Sequence, residues 1–124
     1  GGNPLAMAVA NAVLDVVLAD GFMENVMKTG KSLYDAMSAL TVKYPNLFTE
    51  ARGIGMHLGL KCKDGVVNNE VVVKAMENGL LVVPAGDNVI RMIPPMTITE
   101  VHVNEAISLM ETTCDQLIKE GVGR

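Results

Sequence analysis

Hydrophobic residues dominate the first stretch of the chain. From Pro4 to about Leu18 nearly every position is apolar, except for Asn11 and Asp15 one turn apart. Asn3 and Pro4 suit a helix start, because Asn accepts bonds from free N–H groups and Pro has the backbone angle of a first turn. A helix that is apolar on every side needs neighbours on every side. We therefore expect another domain or subunit to cover this first helix.

Apolar residues then recur at three- and four-residue spacing from Phe22 to Lys43, which predicts an amphipathic helix. Residues 47–63 read as one or two strands, kinked at Arg52–Gly55, because glycine at alternate positions of a strand is typical of a bulge or a close backbone approach. Lys63–Gly65 is predicted to be a turn.

The last part of the chain alternates between short helices and short strands. Asn68 is predicted to cap a short helix that ends at Gly79. The remaining predictions are a strand at residues 80–83, a turn at 84–88, a strand at 89–93 and a helix capped by Thr99. This order predicts an α+β fold, a two-layer sandwich with a small antiparallel or mixed sheet of three or four strands and helices on one face.

Length and charge restrict the possible functions. A chain of 124 residues forms one domain, residues 1–124. The net charge of −4 and the absence of a basic cluster argue against nucleic-acid binding. The apolar stretch at residues 5–19 is shorter than the ~20 residues of a membrane span. It lacks a preceding basic segment, unlike a secretory signal. We therefore expect a cytoplasmic protein with no membrane partner.

The candidate metal ligands are sparse. Cys62 and Cys114 lie far apart, so a reduced cytosolic chain is the simplest interpretation, and one disulfide between them stays open. His57 and His102 have no Cys, Asp or Glu at ligand spacing, so we expect no metal site.

Three segments carry a family resemblance: Gly1–Ala6 (GGNPLA), Arg52–Gly59 (RGIGMHLG) and Gly79–Thr99 (GLLVVPAGDNVIRMIPPMTIT). In this order the chain resembles the C-terminal part of class III pyridoxal-phosphate-dependent aminotransferases, and the third segment resembles their acetylornithine type. The resemblance implies the C-terminal small domain of a fold-type I transferase. Residues 1–20 would be a connecting helix from a large domain that is missing here, and residues 21–124 the small domain proper.

The same resemblance implies a function. Such enzymes are homodimers that hold pyridoxal phosphate (PLP) as a Schiff base on a lysine of the large domain. The implied reaction moves an amino group between N-acetylornithine and 2-oxoglutarate, in arginine biosynthesis. Two alternatives stay open: another class III aminotransferase of the ornithine or 4-aminobutyrate type, and a free-standing α+β binding or regulatory domain.

The resemblance also implies site residues. Arg91 matches the family arginine that binds the substrate carboxylate, a task suited to a planar guanidinium with two parallel N–H donors. Gly1 and Gly2 match the edge of the partner subunit's cofactor-phosphate site. Arg52 is interpreted as structural. None of the seven lysines matches the Schiff-base motif, so no catalytic residue, no bound PLP and no activity are expected of residues 1–124 alone.

Overall fold

The computed structural model describes residues 1–124 and contains four helices and four strands. In chain order the elements are α1 (Pro4–Val17), α2 (Phe22–Lys43), β1 (Phe48–Ile54), β2 (His57–Cys62), α3 (Asn68–Glu77), β3 (Val83–Ala85), β4 (Val89–Met92) and α4 (Glu100–Lys119). The predicted bounds of α1 and α2 are confirmed, and Thr99 is the N-cap residue of α4 as predicted.

The four strands form one sheet in the order β1-β2-β4-β3, and every neighbouring pair is antiparallel. Leu58 lies opposite Met92 and Leu60 opposite Ile90, so these four side chains share one face. All four belong to the buried core. The intervening residues, Gly59 and Lys61 on β2 among them, lie on the other face.

The helices cover only the face that carries Leu58 and Leu60. The core cluster joins these strand residues to side chains from three helices: Leu33, Met37 and Leu40 of α2, Val71 and Ala75 of α3, and Val103, Met110, Cys114 and Leu117 of α4. The predicted α+β sandwich, with helices on one face of a four-stranded sheet, is therefore confirmed. We call the face with Leu58 and Leu60 the covered face, and the face with Gly59 and Lys61 the open face.

Helix α1 stands apart from this core. None of its residues is buried, and Leu5 is 74% exposed although the helix is strongly apolar. Asn3 caps it by accepting a hydrogen bond from Leu5 N at 2.9 Å. No helix is by itself long and apolar enough to cross a membrane, and α1 and α2 meet that criterion only as a pair bent by 73°. Coverage of α1 by another domain or subunit stays a prediction.

Residues 47–63 form two strands, which is one of the two predicted alternatives, and the predicted kink at residues 52–55 is wrong. Gly55 and Met56 form the turn of a hairpin between β1 and β2, and the irregularity in register lies earlier, between Phe48 and Glu50. Gly55 has φ +59°, which glycine adopts without strain. A side chain at Gly30 of α2 would overlap the Gly55 backbone, so the helix rests directly on this turn.

The predicted strand at residues 80–83 is wrong in its position. Leu80 N donates to Ala75 O at 2.9 Å and so closes the end of α3, which leaves residues 80–82 as a link. The strand is β3, and it includes Pro84, which was predicted to lie in a turn. Proline is tolerated there because β3 is an edge strand. Likewise β4 ends at Met92, one residue before the predicted end.

The predicted cap role of Asn68 is also wrong. Val67 is the N-cap of α3, and Asn68 is the first helical residue. The Asn68 side chain instead donates to Ala85 O at 2.9 Å and to Val89 O at 3.0 Å. It therefore ties the helix start to the β3–β4 hairpin, a contact between residues about twenty positions apart.

Candidate functional site

A row of residues crosses the open face of the sheet from strand to strand. Arg52 of β1 lies opposite Gly59 of β2, Gly59 lies opposite Arg91 of β4, and Arg91 lies opposite Val83 of β3. Arg52 and Arg91 are thus separated by two inter-strand steps, or about 10 Å of sheet. They line a shallow cavity of about 380 Å³ with Gly59 between them.

Gly59 keeps this cavity open. A Cβ built at Gly59 would lie 2.7 Å from Val89 Cγ1 and 3.9 Å from Arg52 Cγ. Any side chain here would therefore crowd Val89 and fill the space between the two arginines. Two glycines of the Arg52–Gly59 segment are therefore explained by the structure: Gly59 leaves the cavity open, and Gly55 allows the hairpin turn.

Arg91 is half-buried and has no hydrogen-bond or salt-bridge partner within the chain. Its neighbours in the row offer no carboxylate, because Gly59 and Val83 have no polar side-chain atom. An unpaired guanidinium beside a cavity is suited to binding an anion, with two N–H groups directed at one carboxylate. The structure places Arg91 where such a ligand has access, while its role as the substrate-binding residue stays a prediction.

Arg52 is in a different electrostatic state. Its Nη1 lies 3.0 Å from Asp87 Oδ2, and its Nη2 pairs with Glu50. Hydrogen bonds with these two carboxylates raise the pKa of the Arg52 guanidinium, and the bond with Asp87 has the larger effect. Asp87 also accepts from Lys61 Nζ at 2.7 Å. The interpretation of Arg52 as structural is supported by its pair with Asp87, because that pair links β1 to the β3–β4 turn.

Asp87 and Asn88 form that turn with positive φ angles of 57° and 53°. Asn88 Oδ1 accepts from Asn68 N at 2.9 Å, and Asn88 Nδ2 donates to Val66 O at 2.6 Å. Sequence reasoning missed the structural role of both residues. The available signal was the Asp-Asn pair inside a predicted turn, since these two residue types tolerate the left-handed region.

Gly1 and Gly2 do not line the cavity beside Arg91. Both are exposed, and a Cβ at either position would have no atom within 4 Å. The structure therefore does not bring the two groups of predicted site residues together within this chain. Their proposed place at a cofactor site of a partner subunit is not tested by these contacts.

A second cavity, of about 270 Å³, lies between α4 and the segment after β4. Its lining is almost wholly apolar, with His102 as the one titratable residue. His102 Nδ1 accepts from Thr99 N at 3.0 Å and so serves the N-terminus of α4. A carboxylate would meet no permanently charged cation here, so we place the candidate site at Arg91.

The two cysteines are free and fully buried on the covered side of the sheet. Burial raises the pKa of the Cys62 thiol to about 11 and that of the Cys114 thiol to about 12. Both are therefore protonated at neutral pH and unsuited to nucleophilic attack. The disulfide left open by the sequence is not formed. His57 is exposed at the start of β2, and no group of three metal-ligating side chains is present.

The residues of this chain do not by themselves fit PLP. Four of the seven lysines are held in salt bridges: Lys31 with Asp35, Lys43 with Glu111, Lys61 with Asp87, and Lys74 with Glu77 and Glu120. None of the seven lines the cavity beside Arg91. A PLP-dependent reaction would need its lysine and its phosphate-binding groups from elsewhere.

Comparison with known proteins gives consistent matches. The family model described as aminotransferase class-III matches residues 1–114. The acetylornithine aminotransferase of Brucella melitensis biotype 1 is 48% identical over 118 residues, which cover 94% of this chain and 28% of the relative. That of Mesorhizobium japonicum is 47% identical over 108 residues, or 87% of this chain and 27% of the relative.

Two solved structures extend the comparison. The N-acetylornithine aminotransferase of Stenotrophomonas maltophilia superposes with a TM-score of 0.88 at 30% identity and covers 97% of this chain and 33% of its own. The ornithine aminotransferase of Toxoplasma gondii, with partial occupancy of PLP at its active site, has a TM-score of 0.84 at 30% identity over 97% of this chain and 29% of its own.

The chain spans about 28% of the length of the curated relatives named above. The family match, in contrast, extends over nearly the whole chain, including the row of residues on the open face. The predicted family resemblance is confirmed: this chain belongs to the class III aminotransferase family.

Proposed function

We propose that this chain is the C-terminal part of a PLP-dependent aminotransferase that moves an amino group between N-acetylornithine and 2-oxoglutarate, with Arg91 binding the substrate carboxylate. The observation that carries the proposal is the unpaired guanidinium of Arg91 beside a cavity kept open by Gly59. The identity to acetylornithine aminotransferases, 48% over 94% of the chain, supports the choice of amino donor.

Arg91 would bind and orient rather than react. N-Acetylornithine reacts at its terminal amino-bearing carbon, away from its carboxylate, so a guanidinium could only anchor the far end of this substrate. 2-Oxoglutarate, in contrast, carries a carboxylate next to its reacting carbonyl carbon. Two parallel N–H···O bonds from one guanidinium fix the plane of that carboxylate and thus the direction of the neighbouring Cα bonds. No proton transfer is assigned to Arg91, because a guanidinium offers only N–H donors and has no atom that accepts a hydrogen bond.

The cofactor belongs to residues outside this chain in this proposal. Residues 1–20 would connect to the domain that holds PLP. This is supported by α1, whose exposed apolar surface is suited to an interdomain contact. Gly1 and Gly2 would lie near the PLP phosphate of a partner subunit in a cytoplasmic homodimer. Residues 1–124 alone would bind no PLP and transfer no amino group.

The reaction is tested with the full-length protein. Glutamate formation from 2-oxoglutarate is measured with N-acetylornithine, ornithine or 4-aminobutyrate as the donor. We expect the highest kcat/KM with N-acetylornithine. A higher value with ornithine or 4-aminobutyrate would assign the protein to another class III activity, and the absence of any transfer would contradict an aminotransferase.

The role of Arg91 is tested by Arg91→Lys and Arg91→Met in the same protein. Each charge-assisted hydrogen bond contributes about 1.5–3 kcal/mol, so loss of the two bonds of a bidentate contact should lower kcat/KM by roughly 10²–10⁴-fold. Arg124→Lys, in the exposed C-terminal residue, is the matched control and should leave kcat/KM unchanged. Equal effects of the two Arg→Lys variants would refute the assignment.

The expected inactivity of the isolated residues has its own test. Purified residues 1–124 are titrated with PLP and the absorption spectrum is followed. We expect the spectrum of free PLP at every ratio. A stable, stoichiometric covalent adduct would show that a lysine of this chain binds the cofactor, and would favour a free-standing binding domain.

A further inference from the structure

The cavity beside Arg91 contains one polar side chain that the proposed function does not use. His57 lines this cavity together with Arg52 and Arg91. Because side chains alternate across a strand, His57 lies on the same face of β2 as Gly59, which is the open face. Gly59 lies directly opposite Arg91, so His57 is the diagonal neighbour of Arg91, with about 7–8 Å between their Cα atoms.

The nitrogen-bearing side chains of this cavity differ in their hydrogen bonding. Arg52 is paired with both Glu50 and Asp87. His57 and Arg91 form no side-chain hydrogen bond or salt bridge within the chain. The side-chain donors left for a ligand are therefore the guanidinium of Arg91 and the imidazole of His57.

A carboxylate held by Arg91 has room for a further donor. Its two oxygens offer about four lone-pair sites, and a guanidinium that binds both oxygens uses two of them. The remaining sites need donors once the ligand has left water, because an unpaired buried acceptor lowers the affinity. An imidazole ring supplies at least one N–H group in either protonation state, so His57 has a donor to offer.

We propose that His57 is a second carboxylate-binding residue of this site, which donates an N–H hydrogen bond to the carboxylate that Arg91 holds. The inference rests on the role of Arg91 under the proposed function and adds a selectivity to it. Of the two substrates, only 2-oxoglutarate has a carboxylate next to its reacting carbon, whereas in N-acetylornithine the two lie at opposite ends of the molecule. His57 would therefore favour the amino acceptor.

The backbone of His57 is held in place by the β1–β2 hairpin. His57 lies opposite Ile54 at the end of the ladder. A Cβ at Gly53 would overlap His57 O and would lie 2.9 Å from Leu58 Cα, so the two strands are in direct backbone contact here. Leu58, the next residue, is fully packed in the core. The imidazole is therefore presented from a fixed point of the sheet, although His57 itself is exposed.

The experiment compares the two substrates in the full-length holoenzyme. An aminotransferase consumes its substrates in separate half-reactions, so kcat/KM for each substrate reports on that substrate's own transition state. In His57→Leu we expect kcat/KM for 2-oxoglutarate to fall roughly tenfold, the lower limit for one lost hydrogen bond to a charged group. The value for N-acetylornithine should change by no more than about twofold, because its reacting carbon carries no carboxylate.

His57→Gln and His102→Leu are the matched controls. Gln keeps an N–H donor at position 57, so it should retain kcat/KM for 2-oxoglutarate to within about threefold. His102 accepts from Thr99 N and does not line the cavity beside Arg91, so its replacement by Leu should leave the ratio of the two kcat/KM values unchanged. An unaltered value for 2-oxoglutarate in His57→Leu, equal losses for both substrates, or equal effects of Leu and Gln at position 57 would overturn the proposal.

Arg91→Lys distinguishes this failure from that of the proposed function. If Arg91→Lys lowers kcat/KM for 2-oxoglutarate while His57→Leu leaves it unchanged, only the role of His57 is refuted. If Arg91→Lys also has no effect, Arg91 does not hold this carboxylate and both proposals fail. In the double variant the effect of His57→Leu should be smaller than in the unsubstituted protein, because both donors act on one group. Fully additive effects would show that His57 binds elsewhere and would overturn the proposal.

Discussion

The two faces of the sheet differ in composition although they are built from the same strands. On the covered face Leu58, Leu60 and Ile90 are at most 1% exposed and pack under three helices. On the open face the neighbouring positions are Gly59, Lys61 and Arg91. Residues one position apart in sequence therefore have different tasks, with packing on one side and charge on the other.

This comparison shows how a small domain presents a charged residue without weakening its core. Arg91 lies between Ile90 and Met92, which are 0% and 6% exposed, so the strand is anchored on both sides of the arginine. Because side chains alternate across a strand, the guanidinium projects from the opposite face. Substitutions on the covered face should then change stability, and substitutions on the open face mainly binding.

The largest expected effect is on the covered face, with Leu60→Ala. Leu60 is fully buried, and leucine truncation in a core costs about 3 kcal/mol, within a range of about 2–5. Lys61→Ala, one residue further and on the open face, removes a partly exposed salt bridge and should cost about 1 kcal/mol or less. Amide hydrogen exchange of β2 and β4 peptides in the full-length protein measures the destabilisation in both variants. Equal losses of protection in Leu60→Ala and Lys61→Ala would contradict the distinction between the two faces.

The next effect concerns the turn that joins β3 to β4. Asn88→Ala removes two side-chain hydrogen bonds and places Ala at φ 53°. Together these changes should lower the free energy of unfolding by about 2 kcal/mol. Asn88→Gly also removes the two bonds but avoids the backbone strain, so it should lower the free energy of unfolding by about half as much. Hydrogen exchange at β4 and at the start of α3 should rise together. An increase at β4 alone would refute the tie through Asn68.

The third effect is a fall in stability at alkaline pH, caused by the two buried thiols on the covered side of the sheet. Cys62 and Cys114 stay protonated in the folded protein up to pH values near 11 and 12, whereas an unfolded thiol ionises near pH 9. The unfolded state therefore loses protons first as pH rises, and stability falls above about pH 9 by up to about 1.4 kcal/mol per pH unit for each thiol. The Tyr44 hydroxyl, whose pKa burial raises to about 12, acts in the same direction above pH 10.

Iodoacetamide labelling of the two thiols across a urea series measures this dependence at pH 8, 8.5, 9 and 10. The urea concentration at half-labelling should be nearly constant between pH 8 and 8.5 and should decrease above pH 9. In Cys62→Ala the decrease should be shallower, as seen by labelling of Cys114. A midpoint that rises with pH would contradict the buried, neutral state of the thiols.

The smallest expected effect tests crowding on the open face. Gly59→Ala places a methyl group 2.7 Å from Val89 Cγ1. This crowding should lower the free energy of unfolding by about 1 kcal/mol. Adding Val89→Ala removes the obstructing atom and should restore normal binding of carboxylate inhibitors at Arg91, although it loses the packing of Val89. If Gly59→Ala alone leaves inhibitor binding unchanged, the cavity does not need the glycine.

Much of this arrangement could be predicted from local patterns. The long helices follow from apolar spacing, and Arg91 could be placed on a strand because Val89 to Met92 read as one. The cross-strand row could not be predicted, since it depends on the register between β1, β2 and β4. Asn68 was misassigned for a related reason, because its side chain bonds with residues about twenty positions away. The shift of β3 arose from the way Leu80 closes α3.

The close approach of Gly30 to the Gly55 turn has a consequence for variation among related chains. Hairpin turns at a protein surface ordinarily accept insertions and exchanges of residues. Here an added residue at the turn, or a side chain larger than hydrogen on this turn of α2, would force helix and hairpin apart. Aligned members of the family should therefore show a constant length between β1 and β2, and where a larger residue replaces Gly30, a compensating change in the turn.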